Sequence, residues 1–324
     1  MSRLLKAFFY KVSKDITFRI TLIVGGGLAV FMTLLYFLLD RFAGEGMKML
    51  SGQSMLVTSF SPSQNFGISL PINIISFVIL EFSQGTIRNK IIAGHSKLKI
   101  YASLFITGLI LALSLLLVYV LACTALGSIF GGFNIDEVVM FGATGSGGKV
   151  TAEFLIKFVI LGILSYTSIV AFTVFIASAF RSMGPSIPLV LIGIIGLSML
   201  AMLMGVSVMV TESMIGSTQL DIADVLKEMA KEGTTPERIE ELAKHLPELE
   251  QKLAANEATL STLNNVCNVL KCVDPLYGIS TITSENGVAV IDDLTFYGGI
   301  GSNIFYSAAF FTAGACLFKK RDIK

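Results

Sequence analysis

The stretch Thr144-Gly145-Ser146-Gly147-Gly148-Lys149-Val150-Thr151 is the first whose residue types could do chemistry, since glycines ahead of a lysine can cradle a phosphate. The spacing fails that test. A phosphate-binding loop needs glycine where Ala143 stands and a hydroxyl residue where Val150 stands, and no apolar strand of the right context precedes it. The stretch reads as a flexible loop. His95 and His245 stand alone, in a basic loop and in a polar helix, without metal-ligand company. The four cysteines form no metal-type pair. Cys123 and Cys316 lie in apolar runs as inert packing residues, whereas Cys267 and Cys272, five apart, are a candidate disulfide in an oxidising space. No Ser-His-Asp or Cys-His set can be assembled. The apolar runs also lack the paired ionisable residues of a membrane-embedded enzyme or a proton-coupled transporter. The chain therefore reads as no enzyme, with no cofactor or metal of its own.

The remaining chemistry sits in one basic segment, Glu81-Phe82-Ser83-Gln84-Gly85-Thr86-Ile87-Arg88-Asn89-Lys90, running on through Gly94 to Lys99 between two long apolar runs. The elements that position it follow from composition. Of 324 residues, 53% are hydrophobic and 15% charged, and mean hydropathy is +0.76. A soluble domain carries about 25% charged residues. The deficit and the long uncharged runs give an all-α polytopic membrane protein with six transmembrane helices. The spans fall near residues 20–39, 67–82, 101–130, 155–180, 186–210 and 295–318. Residues 1–210 and 294–324 form the transmembrane domain. Arg3, Lys6, Lys11, Lys14 and Arg19 alternate with Leu4, Leu5, Phe8, Phe9 and Val12, which predicts an amphipathic interfacial helix over Ser2–Arg19. The polar run from Lys48 through Asn65 and the Gly-rich run 134–151 read as loops. Residues 212–293 are acidic with helical patterning at Ile222, Val225, Leu226 and Met229 and again at Ile239, Leu242, Ala243 and Leu246. Thr235-Pro236 marks a helix start there. This region reads as a helical extracellular insert between spans 5 and 6.

Orientation follows from the basic residues. With both termini inside, inner segments hold fourteen Lys or Arg and three acidic residues. The two short outer loops hold only Arg41, Lys48, Lys149 and Lys157. Short-loop Lys and Arg set topology, so both termini and the 83–99 segment face the cytoplasm. A net charge of +1 without a basic domain gives no nucleic-acid partner.

The pattern Glu81-x-x-x-Gly85-Thr86-Ile87-Arg88-x-Lys90-x-x-x-Gly94-x-x-Lys97-x-x-x-Tyr101 resembles the loop between the second and third spans of bacterial type 2 ABC exporter permeases. The basic N-terminus, six spans and cytoplasmic ends resemble that family too, over residues 1–210 and 294–324. The 212–293 insert is larger than in its plain members. The resemblance implies a multi-pass permease subunit in the cell membrane, among lipids, paired as a homodimer or as a heterodimer with a related permease. Each permease docks on a separate cytoplasmic ABC ATPase subunit, which carries the ATP and Mg. The resemblance places Glu81, Gly85, Thr86, Arg88, Lys90 and Gly94 in or beside the coupling helix that receives force from the ATPase. A basic loop suits an acidic groove on such a partner, and Glu81 paired with Arg88 or another basic group would hold the elbow rigid. Residues Arg88 to Lys99 can equally be positive-inside anchors alone.

The implied substrate is amphipathic or hydrophobic: an antimicrobial peptide, a drug or a lipid-like compound. Asn73, Ser76, Tyr166 and Asn303 are candidate translocation-path residues, with Thr107, Thr167, Ser168 and Tyr306 beside them. Each can instead serve helix packing. Two other functions compete. One is a membrane receptor or scaffold that senses an extracellular ligand through the insert. The other is sodium export by the same machinery, for which the nearly uncharged spans offer few ligands.

Overall fold

Backbone polar groups in lipid must satisfy each other, so long apolar runs fold as helices. The computed structural model describes Tyr10, Lys14 and residues 16–42, 50–60, 67–133, 139–141, 146–231, 235–273, 283–285 and 288–320. In chain order these form α1 (Ile16–Phe42), α2 (Gly52–Phe60), α3 (Gly67–Ser83), α4 (Thr86–Ile92), α5 (Lys97–Gly131), β1 (Val139–Phe141), β2 (Ser146–Gly148), α6 (Ala152–Phe180), α7 (Met183–Met229), α8 (Pro236–Val273), β3 (Thr283–Glu285), β4 (Val288–Val290) and α9 (Asp293–Lys320). Among the described residues, five helices (α1, α5, α6, α7 and α9) are long and apolar enough to cross a membrane. Large apolar side chains stay exposed along them, including Ile23 and Phe31 on α1 and Ile192 and Ile195 on α7. Such contiguous apolar surface belongs in lipid. The protein is an all-α polytopic membrane protein; five of the expected spans fall within α1, α5, α6, α7 and α9, and the sixth, 67–82, falls within α3, which is long enough only together with α4, bent from it by 57°. The expected amphipathic helix over Ser2–Arg19 lies mostly outside the described residues.

Two loop expectations are corrected. Gly52–Phe60, expected as part of a polar loop, is the helix α2. Ser51 caps it, its Oγ accepting from the Ser54 N–H at 3.1 Å. Glycines on α5 make room for it: a Cβ at Gly131 would lie 1.8 Å from the Leu50 carbonyl oxygen, and one at Gly127 2.5 Å from Met55 Cγ. The Gly52 N–H donates to the Gly132 carbonyl at 2.9 Å. Leu50 thus sits by Gly131 and Met55 by Gly127, while Ile74 of α3 sits by Gly108. Helices α2 and α3 therefore run in the same direction, antiparallel to α5. The apolar run 67–82 is short, and α2 lies beside the remaining length of α5. The second correction concerns the Gly-rich loop. Residues 139–141 and 146–148 pair as an antiparallel ribbon, with Met140 opposite Gly147. A second ribbon joins β3 and β4, within the region expected to be helical. The Ala289 N–H donates to the Lys149 carbonyl at 3.0 Å and links the two ribbons.

The main core lies among α3, α5, α6 and α9, with Ile74, Tyr101, Leu104, Val170, Val174 and Phe318 buried. A second cluster at the ribbon end joins Val57, Phe154, Phe158, Ala289 and Ile291. There Lys157 Nζ pairs with Glu153 at 2.9 Å and with Asp293 at 3.1 Å. Asp292 caps α9 through the Thr295 N–H and hydroxyl.

The chain divides into two compact units, Met1–Met199 with Lys271–Lys324, and Leu200–Leu270. In the second unit α8 begins at Pro236, as its Thr-Pro start signal predicts, and Arg238 reaches Glu241 at 2.7 Å and Glu228 at 3.2 Å. These carboxylates, Glu241 foremost, raise the Arg238 pKa further above its ordinary value.

Candidate functional site

The residues of the basic segment build an elbow. Helix α3 unwinds after Ser83 through turns from Gln84 N–H to Leu80 and from Gly85 N–H to Phe82. Gly85 then takes the left-handed conformation, φ 65°, which glycine adopts without a Cβ penalty. The chain turns by 57° into α4. Glu81 sits at the inside of this bend and is fully buried. Lys90 Nζ donates to Glu81 Oε2 at 2.7 Å. The Thr86 hydroxyl lies 2.6 Å from the same oxygen and 2.8 Å from the Glu81 carbonyl. One carboxylate thus ties the last turn of α3 to the first and last turns of α4. The expected ion pair at the elbow exists, and its cation is Lys90; Arg88 is exposed. Ile87 is buried beneath α4.

The far end of α4 is closed equally tightly. The His95 N–H donates to the Lys90 carbonyl and the Gly94 N–H to Ile91, with Gly94 at φ 87°. This is the paired-bond helix ending that favours glycine at this position. Ser96 then caps α5, accepting from the Lys99 N–H at 3.4 Å. Arg88, Asn89 and Ile92 remain exposed on α4, and Leu98 beyond it. Ile92 is 74% exposed.

Three further helix ends meet this elbow. The Arg181 guanidinium lies over the Phe82 ring at 5.1 Å, and Arg181 itself takes the left-handed conformation, φ 55°, between α6 and α7. Phe82 also packs against Phe318 of α9, ring centroids 5.8 Å apart. Lys97 Nζ donates to the Lys319 carbonyl at 3.2 Å. Arg88, Lys90, Lys97, Lys99, Arg181, Lys319 and Lys320 thus gather at one end of the helices. Tyr101 completes the support by packing on Phe311, Phe318 and Gly314. The part of Arg181, Phe82 and Gly314 carries no signal in the sequence, because it depends on which helix ends meet.

The path candidates do not form one cluster. Asn73 receives the Thr21 hydroxyl and donates to its own helix at Ser69. Ser76 bonds back to Ile72 at 2.8 Å. The buried Tyr166 hydroxyl donates to the Phe60 carbonyl at 3.3 Å. Asn303 is held between α6 and α9: it accepts from Ser168 Oγ at 2.8 Å and donates to Gly299 at 2.8 Å. The Thr21–Asn73, Tyr166–Phe60 and Ser168–Asn303 bonds join different helices, while the others stay within one helix. Of the candidate disulfide pair, Cys267 is a buried free thiol and the Cys272 side chain lies outside the described residues.

The phosphate-loop look-alike is split between elements. Ser146–Gly148 is β2, Lys149 bridges to Val288, and Thr151 caps α6 through the Phe154 N–H. Residues 144 and 145 lie outside the described residues. No family model matches this chain, and no curated protein or solved structure is significantly similar to it.

Proposed function

We propose that this chain is the permease subunit of an ATP-driven ABC exporter in the cell membrane, with six spans, cytoplasmic termini and residues 212–293 as an extracellular insert. ATP is hydrolysed by a separate cytoplasmic subunit, and an amphipathic or hydrophobic substrate moves outward. The observation that supports this most is the clamped elbow. A seven-residue helix, locked at both ends, presents Arg88, Asn89 and Ile92 outward while Glu81 ties it to α3. A push on α4 would reach the core through one ion pair and the buried Ile87, as a rigid lever requires. A passive anchor needs only basic charge and no buried carboxylate. In this reading α2 and α3 share the second crossing.

The test is purification of the tagged chain in mild detergent with identification of what accompanies it. A stoichiometric chain bearing a phosphate-binding loop is the expected companion. Recovery of the chain alone, under conditions that preserve other transporter complexes, would overturn the reading. Where a companion is found, Arg88→Ala and Ile92→Ala at the exposed face should reduce transport per ATP hydrolysed at unchanged expression.

A further inference from the structure

A cavity of ≈ 210 Å³ lies between α6, α7 and α9, lined by Ser168, Ile169 and Phe172, by Gly193, Ile194 and Leu197, and by Tyr306 and Phe310. Its depth follows from helix geometry. Ser168 lies 11 residues from Lys157 and 13 from Arg181, so at 1.5 Å per residue this end of the cavity sits about midway along α6, with Phe172 one turn nearer Arg181. Phe310 is likewise well inside α9, whose basic end begins at Lys319. The wall is aromatic and mutually packed: Phe172 and Phe310 have centroids 5.0 Å apart, Phe175 and Phe310 5.8 Å, and Tyr306 and Phe310 6.0 Å. Two lining residues carry hydroxyls, Ser168 and Tyr306, and that of Ser168 already donates to Asn303 and contacts Ser307. The other six lining residues are apolar or glycine and offer nothing to a polar ligand. On the same stretches of α7 and α9, Ile192, Ile195, Ile304 and Phe305 are exposed.

We propose that this cavity binds one acyl chain of a bilayer phospholipid, entering sideways from the membrane. The argument is one of chemistry and access. A site at mid-bilayer depth is reached by hydrocarbon and not by headgroups. A dry apolar cavity of about 150 Å³ already holds a benzene-sized guest, so this one accommodates a longer segment. Exposed Ile192, Ile195, Ile304 and Phe305, one or two positions in sequence from lining residues, put the neighbouring surface in the region that chains occupy. Gly193 sets the width, since a Cβ there would lie 3.0 Å from the Phe172 ring. The inference is independent of the exporter reading, because it requires only that the helices span the bilayer.

The test uses the full chain in vesicles of phosphatidylcholine carrying a photoreactive diazirine on one acyl chain, with peptide mapping of the cross-links. Labelling is expected at Phe172, Tyr306 or Phe310, in excess of that at Phe31 on the lipid-facing side of α1. Gly193→Leu, whose side chain would fill the space beside Phe172, should bring the cavity labelling down to the level at Phe31 and leave Phe31 unchanged. Leu197→Phe, which adds bulk at another lining position, serves where Gly193→Leu fails to fold. Cavity labelling no greater than at Phe31, or undiminished in the folded variant, would overturn the proposal. So would a cavity that is unlabelled because a second copy of the chain covers it, read from intermolecular cross-links of Leu197→Cys.

Discussion

Removal of Lys90 isolates what the elbow ion pair contributes. Glu81 is fully buried and meets Lys90 Nζ at 2.7 Å. Truncating one partner of a buried pair typically costs about 3–5 kcal/mol, because the other charge is left without compensation. Here the Lys90 side chain is 18% exposed, so water can replace part of the ammonium, and Thr86 keeps its bond to the carboxylate. Both features place Lys90→Met at the low end, about 3 kcal/mol. Glu81→Gln keeps an acceptor for Thr86 and leaves Lys90 able to reach water, so it should cost about 1–2 kcal/mol. The double variant has no stranded charge and should resemble Glu81→Gln alone, giving a coupling energy near 3 kcal/mol. Cys123, buried at 1% exposure, is a natural reporter. With the other three cysteines changed to serine, a thiol-reactive dye should report unfolding on heating in detergent. At about 1–2 °C per kcal/mol for a chain of 324 residues, Lys90→Met should melt about 3–6 °C below the parent. A shift of Lys90→Met within about 2 °C of the parent, or a double variant equal to the sum of the singles, would refute the clamp.

Other expectations follow from the packing. Gly314→Ala would place a Cβ 1.9 Å from the Tyr101 hydroxyl and should cost about 1–3 kcal/mol by overpacking. Gly26→Ala meets nothing within 4 Å and should be neutral or stabilising by up to about 1 kcal/mol; thermal melts of the two variants check the contrast. In a cysteine-free background, Ser54→Cys on the buried face of α2 should resist a water-soluble maleimide that readily modifies Lys149→Cys; equal rates would contradict the helix and its packing. Asn303→Ala should lower stability by about 0.6–2 kcal/mol, the range for interhelical hydrogen bonds in membranes, while Ser76→Ala, losing only a bond to its own helix, should melt with the parent.

Features that depend on local chemistry could be read from the chain itself. The long uncharged runs locate five crossing helices, and Thr235-Pro236 locates the start of α8, because hydropathy and capping act over a few residues. Gly85 and Gly94 bracket α4 for the same local reason: each occupies a left-handed position at a helix end. What escaped the sequence was tertiary. The segment 52–60 is polar by composition, with Gln53, Ser54, Thr58 and Ser59, yet these side chains are buried. They are buried because Gly127 and Gly131 on α5, more than 70 residues away, leave a groove that a short helix fills. Residues 139–141 and 146–148 of the Gly-rich segment gain their strand character by pairing with each other, beside residues 288–290.

The elbow shows both cases in one site. Glu81, Thr86 and Lys90 lie five and four residues apart, close enough for sequence to mark a carboxylate beside basic residues at a helix end. Sequence could not decide between Arg88 and Lys90 as its partner. The bend decides it. With Gly85 turning the chain by 57°, Thr86 in the first turn of α4 and Lys90 one turn later lie on the side that faces back to Glu81, as positions four apart on a helix share a face. Arg88, two residues on from Thr86, is rotated by about 200° and is left outward. The same geometry that buries the Glu81–Lys90 pair therefore exposes Arg88, and a partner that binds this face would read Arg88 while the clamp transmits the load. Moving the cation by one position should separate these roles: Lys90→Asn with Asn89→Lys keeps the net charge of α4 but not the clamp. It should melt like Lys90→Met while retaining any partner that depends on charge alone. A swap that melts with the parent would mean that charge near the elbow suffices and that the position of Lys90 is incidental.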